Sequence, residues 1–139
     1  MAHSVIVLDA SAALALVLAE EEGRKVEEML QGVITVNGQI FVPDLFWYEL
    51  GNGLLMAERR ERIASRTTTA AVSKIARLPI VTWDQGDFTI IERILNLARD
   101  NGLTYYDSSY LELSVRFEAP LASFDSHLRN LKPSFPLIL

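Results

Sequence analysis

The sequence predicts an α/β protein built on a parallel sheet, and two observations lead to this prediction. Short, almost wholly apolar runs, such as VIVL at residues 5–8 and PIVTW at 79–83, are typical of strands buried on both faces. Longer segments with helical periodicity separate these runs along the chain. Strands that alternate with helices pair in parallel, because each helix carries the chain back to the same end of the sheet.

The elements follow from the apolar patterns and from the residues that interrupt them. We predict strands at about 4–8, 39–42, 79–83, 120–123 and 136–139, and helices at about 11–18, 20–31, 45–62, 65–77, 88–101, 107–117 and directly after Asp125. Gly32 and Gly102 are expected near helix C-termini, where glycine is common. Asp44, Asp107 and Asp125 are expected to begin helices, because Asp is a favoured N-cap residue.

Composition favours one soluble domain spanning residues 1–139. The chain is 50% hydrophobic, with a mean hydropathy of +0.19, which suits a compact core. It has no cysteine, so disulfides and thiolate metal sites are excluded, and a reducing cytoplasm is the expected location. The first residues show no basic signal-peptide pattern, and no apolar stretch reaches the length of a membrane span.

Charge gives a mixed indication about nucleic acid. The formal net charge is −5, whereas binding to phosphate normally needs clustered Lys and Arg. Such a cluster exists locally, in a stretch whose acids are Glu58 and Glu61, and consists of Arg59, Arg60, Arg62, Arg66, Lys74 and Arg77. A solvated helical face is one interpretation of this run, and a surface that contacts the RNA backbone is the other.

A single carboxylate, Asp9, stands between the first apolar run and an alanine-rich segment. In open parallel sheets, ligands bind beyond the carboxyl ends of the strands, so Asp9 is expected at the rim of such a crevice. Capping of the first helix is the alternative role. Asp107 and Asp125 lie at similar junctions, and three carboxylates at one edge favour a site over three unrelated caps.

Glu49 is a different case, because it lies inside the helix predicted at 45–62. Asn52 follows it by three residues and therefore shares its helical face. This face either borders a polar cleft or is simply exposed to solvent.

Four segments carry these residues: VIVLDASA (Asp9, Ser11), PDLFWYELGN (Glu49, Asn52), YYDSSYLEL (Asp107) and PLASFDSHL (Ser123, Asp125). Together they resemble the signature blocks of PIN-domain ribonucleases of the VapC toxin type. The blocks stand in the family's order, with 40, 58 and 18 positions between successive acids, and span nearly the whole chain. Ser123 stands where the family usually has Thr, and Ser108 where Ala is frequent; both keep a small side chain.

The resemblance implies a PIN-like three-layer α/β/α fold with a parallel, roughly five-stranded sheet, and a metal-dependent endoribonuclease. It implies a catalytic and metal-binding set of Asp9, Glu49, Asp107 and Asp125, supported by Ser11, Asn52 and Ser123. Asp9 and Asp107 are the expected direct ligands, Glu49 a ligand or water-orienting base, and Asp125 an outer or second-metal ligand. Hard oxygen ligands without Cys or a His cluster favour Mg²⁺ or Mn²⁺ over zinc, and one or two ions are possible.

The resemblance also implies partners. These are an RNA substrate, a cognate antitoxin of a type II toxin–antitoxin pair whose segment lies over the active-site groove, and a second copy of the chain in a homodimer; no membrane is implied. The four acids account for −4 of the net −5, so cations bound there would ease the conflict with RNA. The basic residues Arg59, Arg60, Arg62 and Arg66 then become candidates for contact with the RNA backbone.

Other functions fit less well. A phosphoacceptor signalling domain would need adjacent acids after the first strand and a Lys near the last strand, but Asp9 stands alone and Lys132 precedes Pro133. A phosphatase with an Asp nucleophile would need an acid at position 11, where the chain has Ser11. A catalytically idle PIN fold that binds only proteins remains open, although all four acids are present.

Several further residues have expected structural roles. We expect His3 and His127 at the surface, and Asp84, Asp87 and Asp100 in turns or helix caps. The aromatic cluster Phe46, Trp47 and Tyr48 is expected in the core, with an interface as the alternative. Close approach of another helix is the expected reason for Gly51 and Gly53, since glycine costs about 1 kcal/mol against alanine inside a helix.

Overall fold

A computed structural model describes residues 4–139, and helices alternate with short strands along this range. The elements in chain order are β1 (Val5–Leu8), α1 (Ala10–Val17), α2 (Gly23–Thr35), β2 (Gln39–Pro43), α3 (Leu45–Arg59), α4 (Ser65–Ala76), β3 (Ile80–Trp83), α5 (Phe88–Asn101), α6 (Tyr105–Phe117), β4 (Leu121–Ala122) and α7 (Ser126–Arg129). The predicted α/β class is confirmed. No helix in the described range is long and apolar enough to cross a membrane.

The strands form one parallel sheet in the order β3-β2-β1-β4. The chain therefore adds β2 and β3 on one side of β1, then returns and adds β4 on the other side. Right-handed crossovers place α1–α4 on one face of the sheet and α5 and α6 on the opposite face. In agreement, α1 packs against α2 and α3, while α6 packs against β1, β2 and α5. The result is the expected three-layer arrangement.

The reversal of strand order between β1 and β4 creates a crevice at the carboxyl ends of these two strands. Loops leave the sheet in opposite directions at such a point, which is where ligands bind in doubly wound folds. Val7 pairs with Leu121 and Leu8 with Ala122, so the residues that follow both strands are neighbours. The fold thereby places Asp9 beside the segment 123–125.

The predicted fifth strand, at 136–139, is shorter than expected. Within the described residues the sheet has four strands, and the last segment contributes a single bridge between Leu121 and Ile138. The Leu121 amide donates to the Leu137 carbonyl, and the Leu139 amide donates to the Leu121 carbonyl, both at 2.9 Å. Because β4 has only two residues, it offers no further length on which a fifth strand could pair.

The helix predicted at 20–31 begins and ends later than expected. The acidic run Glu20 to Glu22 lies in the turn before α2, and the helix continues past Gly32 to Thr35. Val26, Leu30 and Val33 form a buried stripe at helical spacing, and their burial outweighs the propensity cost of Gly32.

Two other helix boundaries also differ from the prediction. Thr104, and not Asp107, caps α6, and its hydroxyl accepts a hydrogen bond from the Asp107 amide at 3.1 Å. The helix therefore begins at Tyr105, and the Asp107 carboxylate is not used for capping. In addition, α3 ends at Arg59, three residues before the predicted end, and Glu61 then adopts a left-handed φ of 58°.

The aromatic cluster divides between core and surface. Phe46 is fully buried, whereas 40% of Trp47 and 78% of Tyr48 is exposed, so the expected core role is wrong for the last two residues. Successive residues on a helix point about 100° apart, and one face of α3 cannot bury all three. The Trp47 indole donates to the Thr82 hydroxyl at 2.9 Å.

The glycines of α3 also have different roles. A Cβ at Gly53 would lie 2.4 Å from Leu14, so α1 and α3 approach closely there, as expected. A Cβ at Gly51 would have no atom within 4 Å, and this residue is exposed. Close approach of another helix is therefore the wrong explanation for Gly51.

Candidate active site

Asp9 lies at the end of β1 and begins α1. Its carboxylate is almost completely buried, with 3% of the residue exposed. The oxygen Oδ1 accepts hydrogen bonds from the Ala12 amide at 3.0 Å and the Ser11 hydroxyl at 2.6 Å, and Oδ2 accepts one from Ser123. A carboxylate has about four lone-pair positions, so three are used and one on Oδ2 remains available. Asp9 thus caps a helix and can still bind a cation.

Ser11 and Ser123 join the two strands on either side of the crevice. Besides donating to Asp9, the Ser11 hydroxyl accepts from the Phe124 amide at 2.9 Å. The Ser123 hydroxyl accepts from the Asp125 amide at 3.0 Å. These bonds tie Asp9 to the segment that follows β4, so both serines orient the acidic residues around them.

Burial raises the pKa of Asp9 to about 6, although the hydrogen bonds from Ser11, Ser123 and Ala12 counteract the shift. The charge of Asp125 adds to the increase. A buried carboxylate whose charge is incompletely compensated is one that a cation would stabilise.

Glu49 reaches the same crevice from α3. It is half-buried, and its Oε1 accepts a 2.6 Å hydrogen bond from the hydroxyl of Tyr110 in α6. Burial raises the pKa of Glu49, the Tyr110 hydrogen bond lowers it, and the charges of Asp107 and Asp125 raise it further. Glu49 therefore borders a polar cleft and is not on a fully exposed face.

Asp107 and Asp125 come closest to forming a ready-made cation site. One ligand atom each from Asp107, Asp125 and His127 lies within 4.8 Å of the others. Burial and the charge of Asp125 raise the pKa of Asp107, whereas Thr104 and His127 lower it. Oδ1 of Asp125 accepts from the amides of His127 and Leu128, which fixes this carboxylate at the start of α7.

The four acids border this edge of the sheet, and within the described residues Asp107 and Asp125 are the two of them whose ligand atoms belong to the 4.8 Å group. The charge of Asp125 raises the pKa of each of the other three, namely Asp9, Glu49 and Asp107. Such mutual repulsion requires short separations, because charges far apart are screened by solvent. The convergence is a consequence of strand order and does not depend on contacts local in sequence.

Asn52 makes no hydrogen bond to the acids in the part of the chain that the structure describes, and the basic residues lie further along the chain. Asn52 is exposed on α3, and the hydrogen bonds of the described residues include none from it to Glu49. Arg59 follows Glu49 by ten residues on α3, which is about 15 Å along the helix axis. Arg60, Arg62 and Arg66 lie beyond it, all exposed, and Arg62 pairs with Glu20 at 3.3 Å.

Sequence reasoning missed two residues of the site. A single tyrosine does not indicate a functional site, so the sequence did not single out Tyr110. Its position three residues after Asp107, on the neighbouring face of α6, could have suggested it. His127 is exposed, as expected, but it also lies beside Asp107 and Asp125; its spacing two residues after Asp125 could have indicated this. His3 lies outside the described residues.

The three aspartates expected in turns or helix caps lie outside the crevice. Asp84 accepts a hydrogen bond from the Gly86 amide at 2.8 Å within a turn, and Asp87 caps α5 by accepting from Thr89 at 2.9 Å. Asp100 is exposed in the last turn of α5, inside the helix that Gly102 caps, so the expected turn or cap role is wrong for this residue.

Comparison with known proteins agrees with the fold and the acidic blocks. The family model described as "PIN domain" matches residues 6–132, which include all four acids. The chain belongs to the PIN-domain family. The VapC type predicted from the four segments is also confirmed, because the curated relatives of this PIN domain carry that name.

The relatives are similar over most of their length. VapC ribonuclease Mb0985 from Mycobacterium bovis and Ribonuclease VapC9 from Mycobacterium tuberculosis are each 27% identical to this PIN domain over 126 residues, covering 91% of this chain and 90% of theirs. The crystal structure of PAE2754 from Pyrobaculum aerophilum has a TM-score of 0.64 and 24% identity, covering 90% of this chain and 78% of that one. The structural similarity supports the fold alone.

The side chains of this PIN domain fit a hard divalent cation. All the charged ligands in the crevice are carboxylates, and no cysteine is available. Mg²⁺ and Mn²⁺ prefer such oxygen ligands, and one imidazole at the rim is compatible with Mn²⁺. Among the described residues, Asp107, Asp125 and His127 each place a ligand atom within 4.8 Å of the others and could hold the ion, and Asp9 and Glu49 lie next to this group.

Proposed function

We propose that this PIN domain is a divalent-metal-dependent endoribonuclease that hydrolyses RNA phosphodiester bonds. The observation that carries the proposal is the grouping of four carboxylates around the strand-order reversal, with the buried Asp9 carboxylate held by two serine hydroxyls. A protein has no structural reason to collect like charges at one edge, because their repulsion destabilises the fold. Cation binding gives this arrangement a use.

Different acidic residues would bind the cation and transfer the proton. Asp9 and Asp107 would hold Mg²⁺ or Mn²⁺, and Asp125 would act as an outer or second-metal ligand, so that one or two ions can bind. Glu49 has a raised pKa and a free Oε2, which suit it to accept a proton from the attacking water. A divalent ion held by these residues would supply positive charge and would lower the pKa of water. Ser11 and Ser123 hold the Asp9 carboxylate in place, and we keep Asn52 as a candidate phosphate contact.

Substitution of a ligand tests the proposal. We expect Asp107→Asn to reduce the rate of RNA cleavage in Mg²⁺ or Mn²⁺ by about 100-fold or more, because even residues that only orient ligands contribute about 10- to 100-fold. Asp107 is half-exposed and does not cap its helix, so the variant should fold. The measurement is the initial rate on a fluorescently labelled RNA, with and without EDTA.

Asp100→Asn is the matched control, since Asp100 is an exposed acid in the last turn of α5. It should cleave at the wild-type rate. If wild type and Asp107→Asn cleave equally, or if EDTA has no effect on wild type, the metal-dependent assignment is wrong. A wild-type protein that cleaves no RNA but binds proteins would instead favour the catalytically idle PIN module.

We infer further that the chain is a single PIN domain that acts in the cytoplasm as the toxin of a type II toxin–antitoxin pair. The family membership and the names of the relatives support this role. A homodimer is supported by the exposed stripe of Tyr48 and Leu55 on α3, whose exposed fractions are 78% and 41%. Arg59, Arg60, Arg62 and Arg66 remain candidate contacts to the RNA backbone, reaching nucleotides some distance from the cleaved bond.

Growth of a bacterial host tests the toxin role. Induced expression of the wild type should arrest growth, and Asp107→Asn expressed to the same level should not, because the arrest requires RNA cleavage. Co-expression of a small reading frame found next to this gene should restore growth. Normal growth with an active, well-expressed wild-type nuclease would contradict the toxin role and leave the nuclease assignment intact.

A further inference from the structure

A buried tyrosine connects two of the helices that supply the acidic residues. Tyr110 lies in α6, with 2% of the residue exposed, and its hydroxyl donates to Oε1 of Glu49 in α3 at 2.6 Å. The two residues are separated by 61 positions in the sequence. Asp9 and Ala10 also lie near this phenol, since the charge of Asp9 raises its pKa and the Ala10 amide lowers it. Tyr110 therefore lies among residues from α1, α3 and α6.

The hydroxyl has a fixed role in this hydrogen bond. Burial first, and then the interaction with Glu49, raise the pKa of Tyr110 far above its usual value, so the phenol keeps its proton and remains the donor. An O–H group that donates to a carboxylate over 2.5–2.7 Å belongs to the stronger class of hydrogen bonds. Within residues 4–139 no other side chain donates to Glu49.

Glu49 needs such a restraint. It is half-exposed on a helix, and the charges of Asp107 and Asp125 repel it, so an unrestrained glutamate would turn towards solvent. Ordering a glutamate side chain costs conformational entropy, which an unrestrained side chain would have to lose when the cation binds. The hydrogen bond from Tyr110 removes this cost in advance, because it holds Oε1 and leaves Oε2 available.

We propose that Tyr110 is a positioning residue, whose hydroxyl holds the Glu49 carboxylate in the acidic crevice so that the divalent-cation site is assembled before the cation arrives. This inference rests on the proposed metal-dependent function, and it assigns to Tyr110 no part in the bond-breaking step. Removing the hydroxyl should therefore weaken cation binding and leave the chemistry largely intact once the site is filled.

The test uses Mn²⁺ binding to the full chain, measured by electron paramagnetic resonance of the free ion. Tyr110→Phe removes one oxygen and keeps the ring in the core. We expect its Mn²⁺ affinity to fall by about 10- to 100-fold, as for other groups that orient metal ligands. RNA cleavage should return to within a few-fold of the wild-type rate at saturating Mn²⁺. Tyr106→Phe is the matched control, since 60% of this tyrosine is exposed on the same helix, and it should bind Mn²⁺ like wild type.

A double-mutant cycle separates positioning from packing. In a Glu49→Ala background, Tyr110→Phe should cause no further loss of Mn²⁺ affinity, because the side chain that it orients is gone. A loss of stability in Tyr110→Phe with unchanged Mn²⁺ affinity would show a merely structural role and overturn the inference. Unchanged affinity with cleavage still about 100-fold slow at saturating Mn²⁺ would also overturn it, by placing Tyr110 in the chemistry. If the wild type binds no Mn²⁺, the proposed function itself fails, and this inference fails with it.

Discussion

Asp9→Asn should reduce RNA cleavage by about 1,000-fold or more while the protein stays folded. Asp9 is the most deeply buried of the proposed ligands, so its loss should release the cation, which stabilises the transition state by several kcal/mol. Each 1.4 kcal/mol of lost stabilisation slows the reaction about tenfold. The Asn oxygen can still accept from the Ala12 amide, so the helix cap persists. Initial rates on labelled RNA, together with circular dichroism, measure both effects. Near-wild-type cleavage would exclude Asp9 from the site.

The same substitution should change how stability depends on pH in EDTA. Burial raises the pKa of Asp9 from 3.8 to about 6, so the folded protein holds this proton more tightly than the unfolded chain. The protonated Asp9 therefore adds to the free energy of unfolding. This contribution is complete below about pH 3.8 and is lost as the pH rises through about 6. A difference of about two pKa units corresponds to about 3 kcal/mol. Asn does not titrate, and the variant avoids this loss.

Urea denaturation at several pH values therefore has a defined expected result. The free energy of unfolding of Asp9→Asn minus that of wild type should increase by about 2.5 kcal/mol between pH 4 and pH 7, most of the full effect. Asp100→Asn, which replaces an exposed acid, should show no such trend. A difference that does not vary with pH would mean that the charge of Asp9 is already compensated in the metal-free protein.

Phe46→Ala should cause a large loss of stability. Phe46 is fully buried in α3, three residues before Glu49, and its ring packs edge-on against Trp47 with the centroids 5.0 Å apart. Truncation of a buried Phe leaves a cavity and typically costs about 3–5 kcal/mol. Domains of this size are stable by about 5–15 kcal/mol, so the loss is a substantial fraction of the total. Chemical denaturation at constant pH gives the change.

Tyr48→Ala provides the comparison on the same helix. With 78% of Tyr48 exposed, its truncation should change the free energy of unfolding by no more than about 0.5 kcal/mol. Equal losses for Phe46→Ala and Tyr48→Ala would contradict the orientation of α3 that directs Glu49 into the crevice. Loss of dimerisation in Tyr48→Ala, with stability of the chain retained, would support the exposed stripe as an interface.

Much of this fold could be predicted from the sequence, because its pattern is regular. Buried parallel strands give apolar runs such as 5–8, and Asp9 and Asp125 were recognised at the ends of such runs. Helix boundaries were less predictable where tertiary burial competed with local preference. Gly32 predicts the C-terminus of α2, but the helix continues to Thr35 because Val33 belongs to its buried stripe. Thr104, and not Asp107, caps α6, so the Asp107 carboxylate is available to the site.

The sequence by itself determined the class of the fold, the order of the acidic blocks and the kind of chemistry that four carboxylates without cysteine can support. Only the tertiary structure decided that Tyr110 bonds to Glu49, that His127 joins Asp107 and Asp125, and which aromatic residue of α3 is buried. The physical reason is distance along the chain. Periodicity and capping act over a few residues and are visible in the sequence. Contacts across 61 or 114 positions, such as Tyr110 to Glu49 and Ser123 to Asp9, arise when parallel strands bring remote loops to one edge.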